Sequence, residues 1–275
     1  MAIYCPQVAI LGFLPQIPAL KVPSRHLGLV QAVEHPDLTT FVDAAATLLT
    51  DHADLDLLWT LAQPSGVGEA RAYALPPLGQ KTAVAQDAAF SFAYPDLLED
   101  WRQQGAEIVL FSPLADQPPP DDCDAVYLPG GYPELSAEVL AGNQTFKSGV
   151  RRAAERGAFV YGECGGYMCL GQTLVDGNGH SHAMIGLLPV VTSMEHPKRH
   201  LGYRRATLRA ATPFGSLGAG FRGHEFHYAT EIANQGQPLF QISAANGQDL
   251  CDAGCRSGCV SGSYIHLISA ESMAL

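Results

Sequence analysis

The feature that most constrains the fold is an alternation of short apolar runs with helical segments after residue 81. The predicted strands are 82–85, 108–111, 125–128 and 159–161, and the predicted helices lie at 97–104 and 135–156. Strands that alternate with helices form a mostly parallel sheet covered on both faces. We therefore predict an α/β fold, and the short β-rich runs after about residue 185 predict additional antiparallel strands.

The first 80 residues have a different pattern. Apolar residues between 36 and 61 fall at helical spacing, and Asp37 is placed to cap that helix. Residues 63–80 are rich in Pro and Gly, which is typical of a linker. The sequence thus predicts an N-terminal segment 1–62, a linker 63–80 and a main domain 81–275. Trp59 and Trp101 lie on helical faces, so we expect both in the core.

Composition excludes several classes of protein. Hydrophobic residues make up 47% of the chain and charged residues 16%, which predicts a packed core rather than disorder. The net charge of −11 disfavours nucleic acid and anionic membranes as partners. No apolar run is long enough for a membrane span, and residues 1–12 have no secretory pattern. With seven cysteines, an odd number, we expect reduced thiols and a cytoplasmic location.

One segment predicts nucleophilic chemistry. Residues 159–168 read FVYGECGGYM, a strand that runs into a Gly-rich turn and a helix. The frame Gly162-x-Cys164-x-Gly166 matches the nucleophile elbow of hydrolases, with Cys in place of Ser. Glycine is needed there because side chains beside a strained nucleophile would collide, and the following helix favours a thiolate. A buried cysteine without a catalytic role is the alternative.

A cysteine nucleophile needs a base and an oxyanion hole. Among ten histidines we select His266, which follows a β-type run near the C-terminus, with His224 and His227 as alternatives. The backbone N–H groups of Gly165 and Gly131 are the candidate oxyanion donors. For Gly131, an ordinary strand-to-helix turn is the alternative.

We predict no metal site. Cys251, Cys255 and Cys259 are spaced by three residues, which fits no common zinc pattern. The run Gly-His-Glu-Phe-His at 223–227 is not the His-Glu-x-x-His motif of zinc proteases.

Over residues 81–270 the chain resembles the C-terminal, class I (triad-type) glutamine amidotransferase domain of cobyrinic (hydrogenobyrinic) acid a,c-diamide synthases. The motifs that carry this resemblance are VAQDAAFSF at 84–92, FSPLAD at 111–116, LPGGYPE at 128–134, YGECGGYM at 161–168, GHEFHY at 223–228 and GSYIH at 262–266. Residues 23–34 also resemble the end of the synthetase domain that precedes this unit. The resemblance implies a three-layer αβα, flavodoxin-like fold with a short N-terminal synthetase remnant.

The resemblance also implies a reaction. Cys164 attacks the side-chain amide of glutamine, and His266 transfers the proton. Gly131 and Gly165 hold the oxyanion of the intermediate that leads to a thioester. The ammonia serves ATP-dependent amidation of the a- and c-acetates of cobyrinic or hydrogenobyrinic acid. No cofactor is implied for glutamine hydrolysis itself.

Two departures from the family pattern are visible. Many triad amidotransferases have Glu two residues after the catalytic His, but His266 is followed by Leu267 and Ile268, so the orienting group is unknown. The ATP-binding P-loop, Gly-x-x-x-x-Gly-Lys-Ser/Thr, is absent from the sequence. ATP and Mg²⁺ would therefore bind a synthetase domain supplied in cis or in trans, and a homodimer is a further expectation.

Further predictions are less specific. Arg25, His26, Glu225 and His227 are candidates for binding the polycarboxylate substrate. The alternative functions are the amidotransferase part of cobyric acid synthase, that of nickel-sirohydrochlorin diamide synthase, and a non-catalytic docking module.

Overall fold

The structure, a computed structural model, describes residues 7–25, 28–63 and 74–271. The chain divides into two units, Met1–Ala70 and Arg71–Leu275. The sequence-based boundaries at 62 and 80 stay a prediction. The end of the predicted linker has a structural role, because Leu75 and Leu78 are buried in the core of the second unit.

The described residues of the first unit form a pair of short strands and two α-helices, besides the short 3-10 helices Pro18–Leu20 and Ala32–Glu34. Strands β1 (Ser24–Arg25) and β2 (Gly28–Leu29) pair antiparallel, and helices α1 (Leu38–His52) and α2 (Leu55–Leu61) follow. Asp37 caps α1, as predicted, by accepting a hydrogen bond of 3.0 Å from the Thr40 N–H. The single predicted helix is wrong, because Ala53 is extended and Asp54 starts a new helix by capping it. Trp59 is 84% exposed, so its predicted core position is wrong as well.

The second unit holds the remaining elements. Its helices are α3 (Pro95–Gln103), α4 (Ala137–Gly142), α5 (Gln144–Glu155) and α6 (Gly165–Leu170). Its strands are β3 (Lys81–Ala85), β4 (Glu107–Phe111), β5 (Ala125–Leu128), β6 (Phe159–Glu163), β7 (Thr173–Val175), β8 (Ser181–Ala183), β9 (Val190–Ser193), β10 (His200–Leu208), β11 (Gly220–His227), β12 (Thr230–Asn234), β13 (Phe240–Ala244), β14 (Asp249–Ala253), β15 (Cys255–Ser257), β16 (Val260–Ser263) and β17 (Ile265–Ala270).

The central sheet has the strand order β15-β16-β6-β5-β3-β4. All of its neighbouring pairs are parallel except β15 with β16. Counted along the chain, the parallel strands run in the order 2-1-3-4-5, which is the flavodoxin-like order. The predicted mixed α/β class with a mostly parallel sheet is therefore confirmed.

Each face of this sheet has its own core. On one face, Val126, Leu128 and Val160 pack with buried residues of α4, α5 and α6. On the other, Tyr127 and Tyr161 pack with Trp101 of α3 and with an antiparallel sheet of order β14-β13-β10-β11-β17. A third, four-stranded sheet has the order β12-β9-β7-β8. The predicted antiparallel strands after residue 185 are thus confirmed.

The strand order explains how distant residues meet. Strand β16 lies parallel to β6, with Ser263 opposite Glu163 in the register. Parallel strands have their carboxyl ends at one edge of the sheet, so the residues after both strands come together there. Cys164 follows β6 directly, and His266 follows β16 by three residues. None of the described helices has the length and apolarity needed to cross a membrane.

Candidate active site

Cys164 occupies a sharp turn between β6 and α6. Its backbone has φ 51° and ψ −107°, a conformation that costs a residue with a side chain about 1–3 kcal/mol. Hydrogen bonds hold the turn: the Cys164 N–H donates to Ser263 O at 2.8 Å, and the Gly166 N–H donates to Pro129 O at 3.1 Å. The strained turn presents the thiol at the carboxyl edge of the sheet, as in a nucleophile elbow.

The glycines on either side of Cys164 are required for space. A Cβ on Gly166 would lie 1.8 Å from Leu128 O, and one on Gly162 would lie 2.7 Å from Gly166 O. Both of these contacts are with backbone atoms, one in β5 and one in α6, and packed backbone cannot move aside. The steric reason given for the Gly-x-Cys-x-Gly frame therefore agrees with the structure.

Cys164 and His266 are in contact. Both residues are 3% exposed, and their side chains are hydrogen-bond partners. Burial alone lowers the pKa of His266, but the charge of Cys164, the hydrogen bond to it, and Glu163 raise that pKa to about 10. An imidazole with this pKa keeps its proton at neutral pH, so His266 places a positive charge beside the sulfur of Cys164.

A buried carboxylate lies on the other side of the His266 ring. Glu163 Oε1 is 3.1 Å from His266 Nδ1, although the N–H direction is off the line of a hydrogen bond, so the contact is an ion pair. With Nδ1 beside Glu163, Nε2 is the nitrogen left for Cys164. Sequence reasoning did not find Glu163 because, as the last residue of β6, it has no motif of its own.

A second histidine packs on the ring of His266. The imidazole of His224 is parallel to it, with ring centroids 4.7 Å apart and an interplanar angle of 5°. Burial and the charge of His266 lower the pKa of His224, and His224 Nε2 lies 2.7 Å from the Tyr94 hydroxyl. His224 is therefore suited to a neutral packing partner. Of the three candidate histidines, His266 is the one beside Cys164, and its role as the base stays a prediction.

The predicted oxyanion donors lie next to each other. A Cβ on Gly165 would be 3.1 Å from the backbone N of Gly131, which places the two backbones side by side. Within the described part of the chain, neither the Gly131 N–H nor the Gly165 N–H donates to a protein acceptor. Both groups are available to a developing oxyanion at Cys164.

Glu225 and His227 belong to a separate polar cluster. Arg204 donates from Nε to Glu225 Oε2 at 2.8 Å, and His227 Nε2 lies 2.9 Å from Glu225 Oε1. The Nδ1–H of His227 donates to Ala229 O at 2.8 Å. Neither side chain contacts Cys164 or His266 in the described bonding network, so their role in substrate binding stays a prediction. Arg25 lies in β1, and His26 lies outside the described residues, so their roles also stay predictions.

Together with His200, this polar cluster contains the only described His, Cys, Asp or Glu side chains that lie close enough together to hold a metal ion. Ligand atoms of His200, Glu225 and His227 lie within 4.8 Å of one another. However, the rings of His200 and His227 are stacked with an interplanar angle of 4°, so their in-plane lone pairs do not converge. We assign no metal to this cluster. The sulfurs of the described Cys251, Cys255 and Cys259 form no such group.

A mainly apolar cavity of about 650 Å³ lies beside His224 and not at Cys164. Its lining includes Tyr94, His224 and Phe226, together with Leu267 directly after His266. Neither Cys164 nor His266 is among its lining residues, and His224, which stacks on His266, is, so we do not assign the cavity to glutamine.

The sequence of the chain is similar to those of known proteins. Residues 81–274 match the model of the CobB/CobQ-like glutamine amidotransferase domain. The chain is 52% identical over 265 residues to hydrogenobyrinate a,c-diamide synthase of Rhizobium meliloti (strain 1021), covering 94% of this chain and 60% of that protein. The same enzyme of Rhodobacter capsulatus is 47% identical, with 94% and 59% covered. The chain thus spans about 60% of the length of the curated relatives that it matches.

Solved structures of similar shape include PurLQS from Thermotoga maritima, with a TM-score of 0.48, 19% identity, and coverage of 68% of this chain and 87% of that one. A glutamine amidotransferase from Thermotoga maritima has a TM-score of 0.44 and 12% identity, with coverage of 68% of this chain and 75% of that one. The family match spans most of the chain and includes the elbow, the oxyanion glycines and His266. The chain belongs to the CobB/CobQ-like glutamine amidotransferase family.

Proposed function

We propose that this chain is the glutaminase part of a hydrogenobyrinate a,c-diamide synthase in cobalamin biosynthesis. The observation that carries the proposal is the contact between Cys164 and His266 at the strained turn after β6. The relatives named hydrogenobyrinate a,c-diamide synthase, at about 50% identity, support the choice of acceptor. ATP and Mg²⁺ are assigned to a synthetase domain in cis or in trans, because this sequence has no P-loop.

The reaction begins with the thiolate of Cys164, which attacks the side-chain carbonyl carbon of glutamine. The Gly131 and Gly165 N–H groups stabilise the oxyanion of the tetrahedral intermediate. The imidazolium of His266 donates its proton to the leaving nitrogen, ammonia departs, and a glutamyl thioester remains. Water then attacks the thioester while His266 accepts its proton, which releases glutamate and restores the thiolate–imidazolium pair.

The proposal is tested with the purified chain by measuring glutamate released from glutamine. A second reaction adds the N-terminal part of a close relative, ATP, Mg²⁺ and hydrogenobyrinic acid, and measures amidated product. We expect glutamate in the first reaction and the a,c-diamide in the second. Absence of glutamate in both reactions would contradict the glutaminase assignment, and glutamate without diamide would contradict the acceptor.

The pH profile of glutamate release should have its alkaline limb near pH 10. The raised pKa of His266 means that the imidazolium keeps its proton as the pH rises and loses it only around pH 10. Because protonated His266 supplies the proton to ammonia, kcat/KM should fall above that pH. The measurement is kcat/KM from pH 6 to 11. An alkaline limb at about pH 6.5–7, the ordinary range of a histidine, would contradict the raised pKa of His266.

Gly130→Ala should slow the reaction without unfolding the protein. A Cβ at this position would lie 2.8 Å from His266 Cε1 and 3.3 Å from Cys164 Cβ, so it displaces the imidazole. A misplacement of this kind costs on the order of 10²-fold in kcat. Gly142→Ala is the matched control, because its Cβ would meet no atom within 4 Å. Equal rates for the two variants would show that this site does not require the observed geometry.

A further inference from the structure

We propose that Glu163, the residue immediately before the nucleophile, is the positioning residue that orients His266. It would replace the glutamate that follows the catalytic histidine by two residues in many triad amidotransferases. This inference rests on the proposed glutaminase function, and it assigns a role to a residue that precedes Cys164 rather than follows His266.

The first argument is that the carboxylate is itself held in place. Glu163 is 2% exposed, and both of its oxygens have a donor from a different element. The Tyr127 hydroxyl donates to Oε1 at 3.1 Å, and the backbone N–H of Leu267 donates to Oε2 at 3.2 Å. The donor from Leu267 belongs to the residue next to His266, so the carboxylate is tied to the same strand that carries the imidazole.

The second argument is the position of the carboxylate relative to the ring. Oε1 lies 3.1 Å from His266 Nδ1, and the ring's Nε2 is left for Cys164. A proton on Nδ1 fixes the tautomer in which Nε2 can accept from and donate to the reacting groups. A buried carboxylate without a cationic partner would be costly, so the position also favours the protonated form of His266, which donates the proton to ammonia.

The third argument is that, among the described residues, no other group beside His266 can hold the Nδ1 proton. The titratable groups that face the ring are Cys164, Glu163, His224 and Tyr94. Cys164 is the nucleophile, and His224 stacks on the face of the ring. Burial raises the pKa of Tyr94, so that hydroxyl stays neutral, and it is bonded to His224. Ile268, two residues after His266, is 54% exposed and offers no acceptor.

The register of the sheet makes the arrangement possible. Glu163 is the last residue of β6 and lies opposite Ser263 of β16, three residues before His266. Tyr127 and Tyr161 pack together on the same face of the sheet, and Glu163 follows Tyr161 by two residues. The alternation of strand side chains therefore directs Glu163 to this face. The pairing of β16 with β6 therefore places a glutamate at this position close to His266.

The test compares Glu163→Gln with wild type in glutamate release across pH. Loss of the charge should lower kcat about 10²- to 10³-fold with little change in KM, as when a base loses its orienting partner. The alkaline limb should move from near pH 10 to lower pH by about 1–3 units, because a neighbouring anion that raises the pKa of His266 is gone. A purely structural role for Glu163 would not move that limb.

Glu271→Gln is the matched control, because its carboxylate pairs with Arg205 and Arg222 away from the site. If Glu163→Gln does not fold, Glu163→Asp replaces it, since it keeps the charge but withdraws it from Nδ1. For Glu163→Asp we expect the alkaline limb at a lower pH than in wild type, together with a reduced kcat. A limb and a kcat equal to wild type in a folded Gln or Asp variant would overturn the proposal. Wild type that releases no glutamate would instead refute the proposed function.

Discussion

Replacement of Cys164 by alanine is expected to lower the rate of glutamate release by about 10⁵-fold. The reason is that Cys164 supplies the bond-forming sulfur, and in the described part of the chain no other thiol is placed to replace it. Cys169 is fully buried, and burial raises the pKa of its thiol. The measurement is glutamate formed from glutamine at neutral pH.

Cys251→Ala is the matched control for Cys164→Ala. Cys251 is an exposed, free cysteine of β14 and contacts neither Cys164 nor His266 in the described bonding network. It should keep the wild-type rate. The nucleophile assignment fails if Cys164→Ala retains the rate of the control.

Replacement of His266 by asparagine is the second large effect, and we expect a loss of about 10³- to 10⁴-fold in kcat. The variant removes both the proton donor for ammonia and the positive charge beside the thiolate. The oxyanion donors at Gly131 and Gly165 remain, so a small residual rate is expected. His196→Asn, at an exposed position, is the control.

The double variant Cys164→Ala/His266→Asn distinguishes a catalytic pair from two independent residues. Because the two side chains act on the same step, the double variant should be no slower than Cys164→Ala alone. Losses that multiply would mean that His266 acts elsewhere, and the ion pair would then not describe the reactive state.

The parts of the structure that depend on local pattern could be predicted from the sequence. The strands of the parallel sheet are short apolar runs, and the elbow follows from three glycines around one cysteine. Gly162 is the clearest case, because a Cβ on it would lie 2.7 Å from the backbone O of Gly166, four residues later in the chain. Such constraints are present in the sequence because they act within a few residues.

Features that depend on distant segments could not be predicted in this way. His266 was one of ten histidines until the family resemblance selected it, since only the pairing of β16 with β6 brings it to Cys164. Glu163 looks like an ordinary strand residue until the same pairing places it beside Nδ1. Trp59 has helical spacing typical of a core residue, but 84% of it is exposed, because no described element of the first unit covers it.

The most direct test of the central claim is covalent labelling with an electrophilic analogue of glutamine, such as its γ-chloroketone, followed by peptide mass spectrometry. The account predicts one adduct, on the peptide that contains Cys164, with protection by glutamine and much slower labelling in His266→Asn. Labelling that is spread over Cys164 and the exposed Cys251, with no protection by glutamine, would contradict it.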